Sequence, residues 1–77
     1  MSGKCDELAR KAQQAHNEMV ALMRAHEELH QQIDNTSDPK EKMRLREKVP
    51  ALSQRLNAAM DKDDIAGKRY TDCLRDA

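Results

Sequence analysis

Apolar and small side chains recur along the first half of the chain at alternating intervals of three and four residues. This first stripe consists of Cys5, Leu8, Ala12, Ala15, Met19, Leu22, His26, Leu29 and Ile33. Such spacing is the heptad pattern that turns one face of an α-helix towards a partner helix. No Gly or Pro lies within residues 5–33. The pattern therefore predicts one continuous helix over about residues 4–34.

A second stripe with the same alternation follows in the second half of the chain. Its members are Leu45, Val49, Leu52, Leu56, Ala59, Asp63, Ala66, Tyr70 and Cys73. Small polar residues at 34–37 predict a turn, and Asp38-Pro39 is typical of a helix start, with Glu41 placed to reach back to the cap. We expect a turn at 35–38 and a second helix over about 39–74. Pro50 predicts either a bend in that helix near 47–50 or a short helix followed by a longer one, because it lacks an N–H and crowds the carbonyl four residues earlier.

The two stripes predict an all-α fold, in which residues 1–77 form a single antiparallel, coiled-coil-like helical hairpin. Pairing residues whose numbers add up to 78 aligns the stripes and places Cys5 opposite Cys73 and Leu22 opposite Leu56. A register shifted by seven residues also matches stripe to stripe. We favour the register of 78, because it sets large residues against small ones in several layers.

Composition supports helices and argues against other classes of protein. Leu, Ile and Val total 11 of 77 residues, Phe and Trp are absent, and Lys+Arg and Asp+Glu are both 14. So few β-branched and aromatic residues disfavour a sheet. Apolar runs are far shorter than the roughly 20 residues that cross a bilayer, and no signal pattern opens the chain. We expect a soluble, cytoplasmic protein with no membrane partner.

A lone hairpin of this size has a small core, which predicts association with a second copy. A single core in so short a chain rarely supplies more than about 3 to 5 kcal/mol. Met23, Met60 and Leu74 lie beside the stripes on one flank. We expect a homodimer that forms a four-helix bundle with these three residues at the dimer interface. The alternative is a monomer with scattered exposed apolar residues.

His26-Glu27-Glu28-Leu29-His30 fits the H-E-x-x-H pattern of zinc hydrolases. A catalytic zinc needs a third protein ligand and a substrate cleft. An elongated zinc-protease motif would have a third histidine six residues after His30, where this chain has Thr36. We therefore expect no enzyme, no cofactor and no metal site, with His26 and His30 as the sole metal candidates. His26 lies on the stripe, where a core or interface histidine is the simpler interpretation.

Cys5 and Cys73 fall in the same layer of the favoured register, so they are a candidate disulfide. Closing so long a loop constrains the unfolded chain by roughly 4 kcal/mol in the chain-entropy model. Intracellular thiols are normally reduced. An intracellular location therefore favours two buried thiols, with the disulfide as the alternative.

Four basic residues recur every seven positions beside the second stripe, and we call them the basic row: Lys48, Arg55, Lys62 and Arg69. The first three have no acidic residue three or four positions away, whereas Arg69 has Asp72. One interpretation is a solvated flank whose aliphatic stems shield the seam. The sharper interpretation is a docking surface for an acidic partner protein. Nucleic acid fits less well, because the net charge is zero and the chain has a single aromatic residue.

The turn Thr36-Ser37-Asp38-Pro39 in a hairpin of this length resembles the turn of type III secretion needle subunits. The charge-rich helices and the two cysteines depart from that family, and no functional residue carries over. Small plasmid RNA-regulating hairpin dimers share the architecture but no motif. We expect a non-enzymatic protein–protein interaction module, such as a small adaptor, inhibitor or co-chaperone. The alternatives are a structural subunit of an oligomeric assembly, such as a secretion apparatus, and a small RNA- or DNA-binding regulator.

Overall fold

A computed structural model of the chain describes residues 3–76 and contains three helices in that range. They are α1 (Asp6–Asn35), α2 (Pro39–Arg46) and α3 (Val49–Asp76). Helix α1 packs against both α2 and α3, and the molecule measures 58 × 18 × 13 Å. The prediction of an all-α fold built on two packed helical arms is confirmed. The first arm begins two residues later and ends one residue later than the predicted 4–34.

The chain reverses direction at residues 36–38, between α1 and α2. Asp38 Oδ1 accepts a hydrogen bond from the Lys40 backbone N–H at 3.2 Å, and Pro39 is the first residue of α2. The carboxylate of Glu41 lies 3.4 Å from Arg44 Nη2 instead of reaching back to the cap. The predicted helix start is therefore present, with Asp38 as the cap and Glu41 in a different role.

The predicted second helix, 39–74, is two helices in the structure, because the helix stops after Arg46 and resumes at Val49. Pro50 explains the position of this break. It has no N–H to donate to the carbonyl of Arg46, and its ring crowds that same carbonyl. The Lys48 N–H bonds instead to the Leu45 carbonyl at 3.1 Å, one residue closer than in an α-helix. Of the two expected forms, the structure has a short helix followed by a longer one, with a two-residue interruption at Glu47 and Lys48.

The core of the hairpin follows the two stripes. The buried residues among those described are Cys5, Ala15, Leu29, Ile33, Leu45 and Ala59. Each of them belongs to a stripe, and the remaining stripe members are half-buried. Leu29, Ile33 and Leu45 form one cluster near the turn, with Val49 and Leu52 packed against it. Apolar packing is therefore strongest near the turn, and a single seam separates two exposed flanks.

The register in the structure is the favoured one. Cys5 lies beside Cys73, with their Cα atoms 5.8 Å apart. The shifted register would instead place Cys5 opposite Ala66. Side chains flanking the seam also meet across it, as when His26 Nε2 lies 3.2 Å from Ser53 Oγ. This alignment decides which charged residues face one another on each flank.

Within residues 3–76, no helix is apolar enough over a sufficient length to pass through a bilayer.

Candidate protein-docking surfaces

The two flanks of the hairpin carry different chemistry. Each residue of the basic row directly precedes a stripe member on the second arm, whereas Met60 and Leu74 directly follow one. In an antiparallel heptad pair these two sets of positions lie on opposite sides of the seam. The structure therefore has a flank with the basic row and another that we call the methionine flank, made of Met23, Met60 and Leu74.

A groove runs along the flank that carries the basic row. Its volume is about 650 Å³ towards the open end of the hairpin. The apolar residues that line it are Leu8, Ala15, Ala58, Ile65 and Ala66. The charged residues that line it are Lys11, Glu18, Asp61, Lys62 and Arg69. A separate, smaller depression of about 360 Å³ lies nearer the turn, and its charged lining residues are Lys48, Arg55 and Glu28. All four members of the basic row therefore border concave surface.

The basic row has little compensation within the molecule. Lys62 Nζ lies 3.3 Å from Glu18 Oε2, with both side chains more than half exposed. Exposed pairs of this kind contribute at most about 1 kcal/mol. Lys48, Arg55 and Arg69 make no ion pair with an acidic residue in the described part of the chain. Three of the four cations are thus available to an external anion.

The methionine flank exposes large apolar side chains that the hairpin does not use. Met23, Met60 and Leu74 are 50%, 48% and 53% exposed. On the same flank His16 Nδ1 lies 3.5 Å from Asp63 Oδ1, the one charged member of the second stripe. Asp63 is half-buried, so the His16 contact supplies a polar neighbour at the seam. This flank offers apolar contact area, in contrast to the groove opposite, which is bordered by the basic row.

His26 and His30 are neighbours on one helix face, with ring centroids 4.5 Å apart. His26 Nε2 is within hydrogen-bond distance of Ser53 Oγ across the seam, and the imidazole tautomer decides which atom donates. No cluster of three or more His, Cys, Asp or Glu side chains suited to a metal ion forms between residues 3 and 76. The structure thus gives His26 an inter-helix hydrogen bond. Sequence reasoning missed Ser53, although it directly follows Leu52, the residue opposite His26 in the register.

The two cysteines join the ends of the hairpin. An intracellular location favours free thiols, but the structure has the alternative, a Cys5–Cys73 disulfide. Cys5 is 7% exposed and sits just before α1, while Cys73 is half-buried near the end of α3. The bond closes the seam at the end opposite the turn, so both ends of the hairpin are fixed.

Comparison of the chain with protein-family models, with curated protein sequences and with solved structures finds no match.

Proposed function

We propose that this protein is a non-enzymatic interaction module that binds an acidic partner protein through the basic row. The observation that carries this proposal is the set of exposed cations, Lys48, Arg55 and Arg69, that border concave surface without an acidic partner among the described residues. A groove lined by apolar groups, with three cations against two carboxylates, suits a protein surface with complementary charge. The proposal assigns the basic row to steering and orienting that partner.

The methionine flank supports a second part of the proposal, a homodimer that completes a four-helix bundle. The chain exposes 6224 Å². A compact monomer of 8.8 kDa exposes about 4,800 Å². The chain thus exposes roughly 1,400 Å² more surface than a compact monomer does. Each partner in a typical interface buries about 800 Å², which is less than this excess. Two copies joined through Met23, Met60 and Leu74 would keep both basic rows outside the interface.

The disulfide bears on the cellular compartment in which we propose that the protein acts. Disulfides persist in oxidising compartments and are rare in the cytosol. The Cys5–Cys73 bond therefore weighs against the cytoplasm that the sequence suggests. An interaction module with a stapled hairpin suits an oxidising compartment as its site of action.

The test of the proposed function is charge reversal in the basic row with a matched control. Tagged wild-type protein and the Arg55→Glu plus Arg69→Glu variant are used to capture partners from an extract of the source organism. The control is Arg10→Glu plus Arg24→Glu, which makes the same chemical change with the same spacing at exposed positions outside both flanks. We expect the first variant to lose an acidic protein that wild type and control retain, with the loss reproduced by high salt in wild type. Equal retention by all three proteins contradicts the proposal.

Two other functions predict different results from the same material. A structural subunit would assemble beyond a dimer at rising concentration, whereas an interaction module stops at a dimer. A nucleic-acid regulator would retain RNA or DNA in the capture, with binding that falls steeply as salt rises. The single aromatic residue, Tyr70, leaves little for base stacking, which favours a protein partner.

A further inference from the structure

We infer that the groove beside the basic row binds one amphipathic, acidic α-helix of the partner protein, which carries carboxylates at seven-residue intervals. This inference rests on the proposed function and specifies the partner's chemistry. The docked helix would pack as a third helix alongside the two arms of the hairpin.

The shape of the groove suits a helix. Its lining includes the stripe residues Ala15 and Ala66 together with Ala58 and Ile65. Small side chains at a contact allow helix axes to approach towards the short end of the usual 8–10 Å range. An amphipathic helix that lays its apolar face in a hydrophobic groove is a recurring mode of recognition. The 650 Å³ of concave space therefore offers small apolar side chains to the apolar face of a docked helix.

The spacing of the cations suggests the pattern of the partner. Seven residues of an α-helix span about 10.5 Å, so the basic row presents a positive charge at about that interval. From Lys48 to Arg69 the row extends over about 30 Å. A second helix lying along the groove repeats its own side chains with the same heptad period. Acidic residues at i, i+7, i+14 and i+21 would meet the four cations in turn.

Charge also distinguishes this occupant from a second copy of the chain. A two-fold dimer through this groove would set one basic row against the other, and like charges at close range are unfavourable. Glu18 and Asp61 also line the groove, and Glu18 already pairs with Lys62. The groove therefore favours a partner helix whose positive and negative side chains follow a complementary order. The methionine flank remains available for self-association while the groove is occupied.

The experiment uses two synthetic helical peptides of about 28 residues, or four heptads. Both carry the same Leu/Ala stripe, and one has Glu and the other Lys at a single heptad position beside it. Binding of each labelled peptide to the disulfide-bonded protein is measured by fluorescence anisotropy at low and high salt. We expect the Glu peptide to bind at least about tenfold more tightly than the Lys peptide, with high salt reducing the difference.

Two variants separate the groove from the charges. Arg55→Glu plus Arg69→Glu reverses the charge of the row, and Ala58→Trp fills the groove at an exposed position without changing any charge. Their controls are Arg10→Glu plus Arg24→Glu and Gln54→Trp, all at exposed positions outside the groove. We expect both test variants to weaken binding of the Glu peptide at least about tenfold and both controls to bind as wild type does. Circular dichroism of every variant checks that the helices are retained.

The outcomes are distinguishable. If charge reversal weakens binding and Ala58→Trp does not, the groove inference fails while an acidic partner at the basic row still stands. If neither variant matters, or the Lys peptide binds as well as the Glu peptide, both proposals fail.

A loss of self-association in Ala58→Trp assigns the groove to a second copy. Binding of duplex RNA, with no binding of either peptide, assigns the row to nucleic acid. Each of these last two results overturns the helix inference.

Discussion

Leu29 is one of three large side chains that form the buried cluster near the turn, where it packs with Ile33 and Leu45 at 8% exposure. Leu29→Ala should lower the free energy of unfolding by about 2 to 5 kcal/mol, because it removes buried methyl groups and leaves a cavity. Urea denaturation of the disulfide-bonded protein measures this change. The matched control is Met43→Ala, since Met43 is 65% exposed. We expect a change within about 0.5 kcal/mol for the control. Equal losses for the two variants would show that the buried cluster is misplaced.

Single residues also show how far the sequence could be interpreted. The period of the stripes identified each side chain that is buried within residues 3–76, because burial in a helical pair follows the heptad. The Asp38 cap was predictable for a similar reason, since its hydrogen bond reaches only two residues along the chain. The roles of Glu41 and Ser53 were not predictable. Glu41 can bond either to the cap or to Arg44, and the sequence does not choose between them. The contact between Ser53 and His26 depends on the register of the two arms.

Pro50 controls the number of helices in the second arm. Pro50→Ala restores an N–H that can bond to the Arg46 carbonyl and removes the ring that crowds it. We therefore expect α2 and α3 to merge into one helix through Glu47 and Lys48. Backbone chemical shifts of residues 46–49 measured by NMR would become helical in the variant. A break that persists there in Pro50→Ala would show that something other than the proline interrupts the helix.

At the level of elements, the sequence predicted the two arms and the register, and it left the interruption open between a bend and a break into a short and a longer helix. A proline within a helix is compatible with a bend or with a break, and local sequence does not choose between them. The choice here is a turn at residues 47 and 48, where the Lys48 N–H bonds to Leu45. The state of the cysteines was similarly open. The register puts Cys5 beside Cys73, but whether two neighbouring cysteines are oxidised depends on the redox state of the compartment as well as on their distance.

The disulfide acts on the whole molecule, because the two cysteines are 68 residues apart in the sequence. Reducing it should lower the free energy of unfolding by about 4 kcal/mol in the chain-entropy model. That loss is comparable to the entire stability expected of so small a core. Thermal unfolding followed by circular dichroism, with and without dithiothreitol, measures the difference.

The Cys5→Ser plus Cys73→Ser variant is the control for this effect. With or without dithiothreitol, it should unfold at the same temperature as reduced wild-type protein. Identical unfolding of reduced and oxidised wild-type protein would mean that the bond adds no stability.

The two flanks give the whole molecule its proposed division of labour, with one flank for a second copy and the other for an acidic partner. In the proposed dimer, the methionine flank of one hairpin would cover the methionine flank of the other. The basic rows then lie on the outside of the bundle. The heptad positions already separate the two flanks in the sequence, because the basic row precedes stripe members and Met60 and Leu74 follow them. The register decides which residues of the first arm face each flank.

Sedimentation equilibrium of the disulfide-bonded protein tests the central claim, that the hairpin completes itself with a second copy through the methionine flank. Wild type should have twice the chain mass of 8.8 kDa, and Met23→Glu plus Met60→Glu should have the single-chain mass. Arg55→Glu plus Arg69→Glu, on the opposite flank, should remain a dimer. A single-chain mass for wild type at the highest concentration that stays in solution, or a dimer that survives both methionine substitutions, would contradict the account.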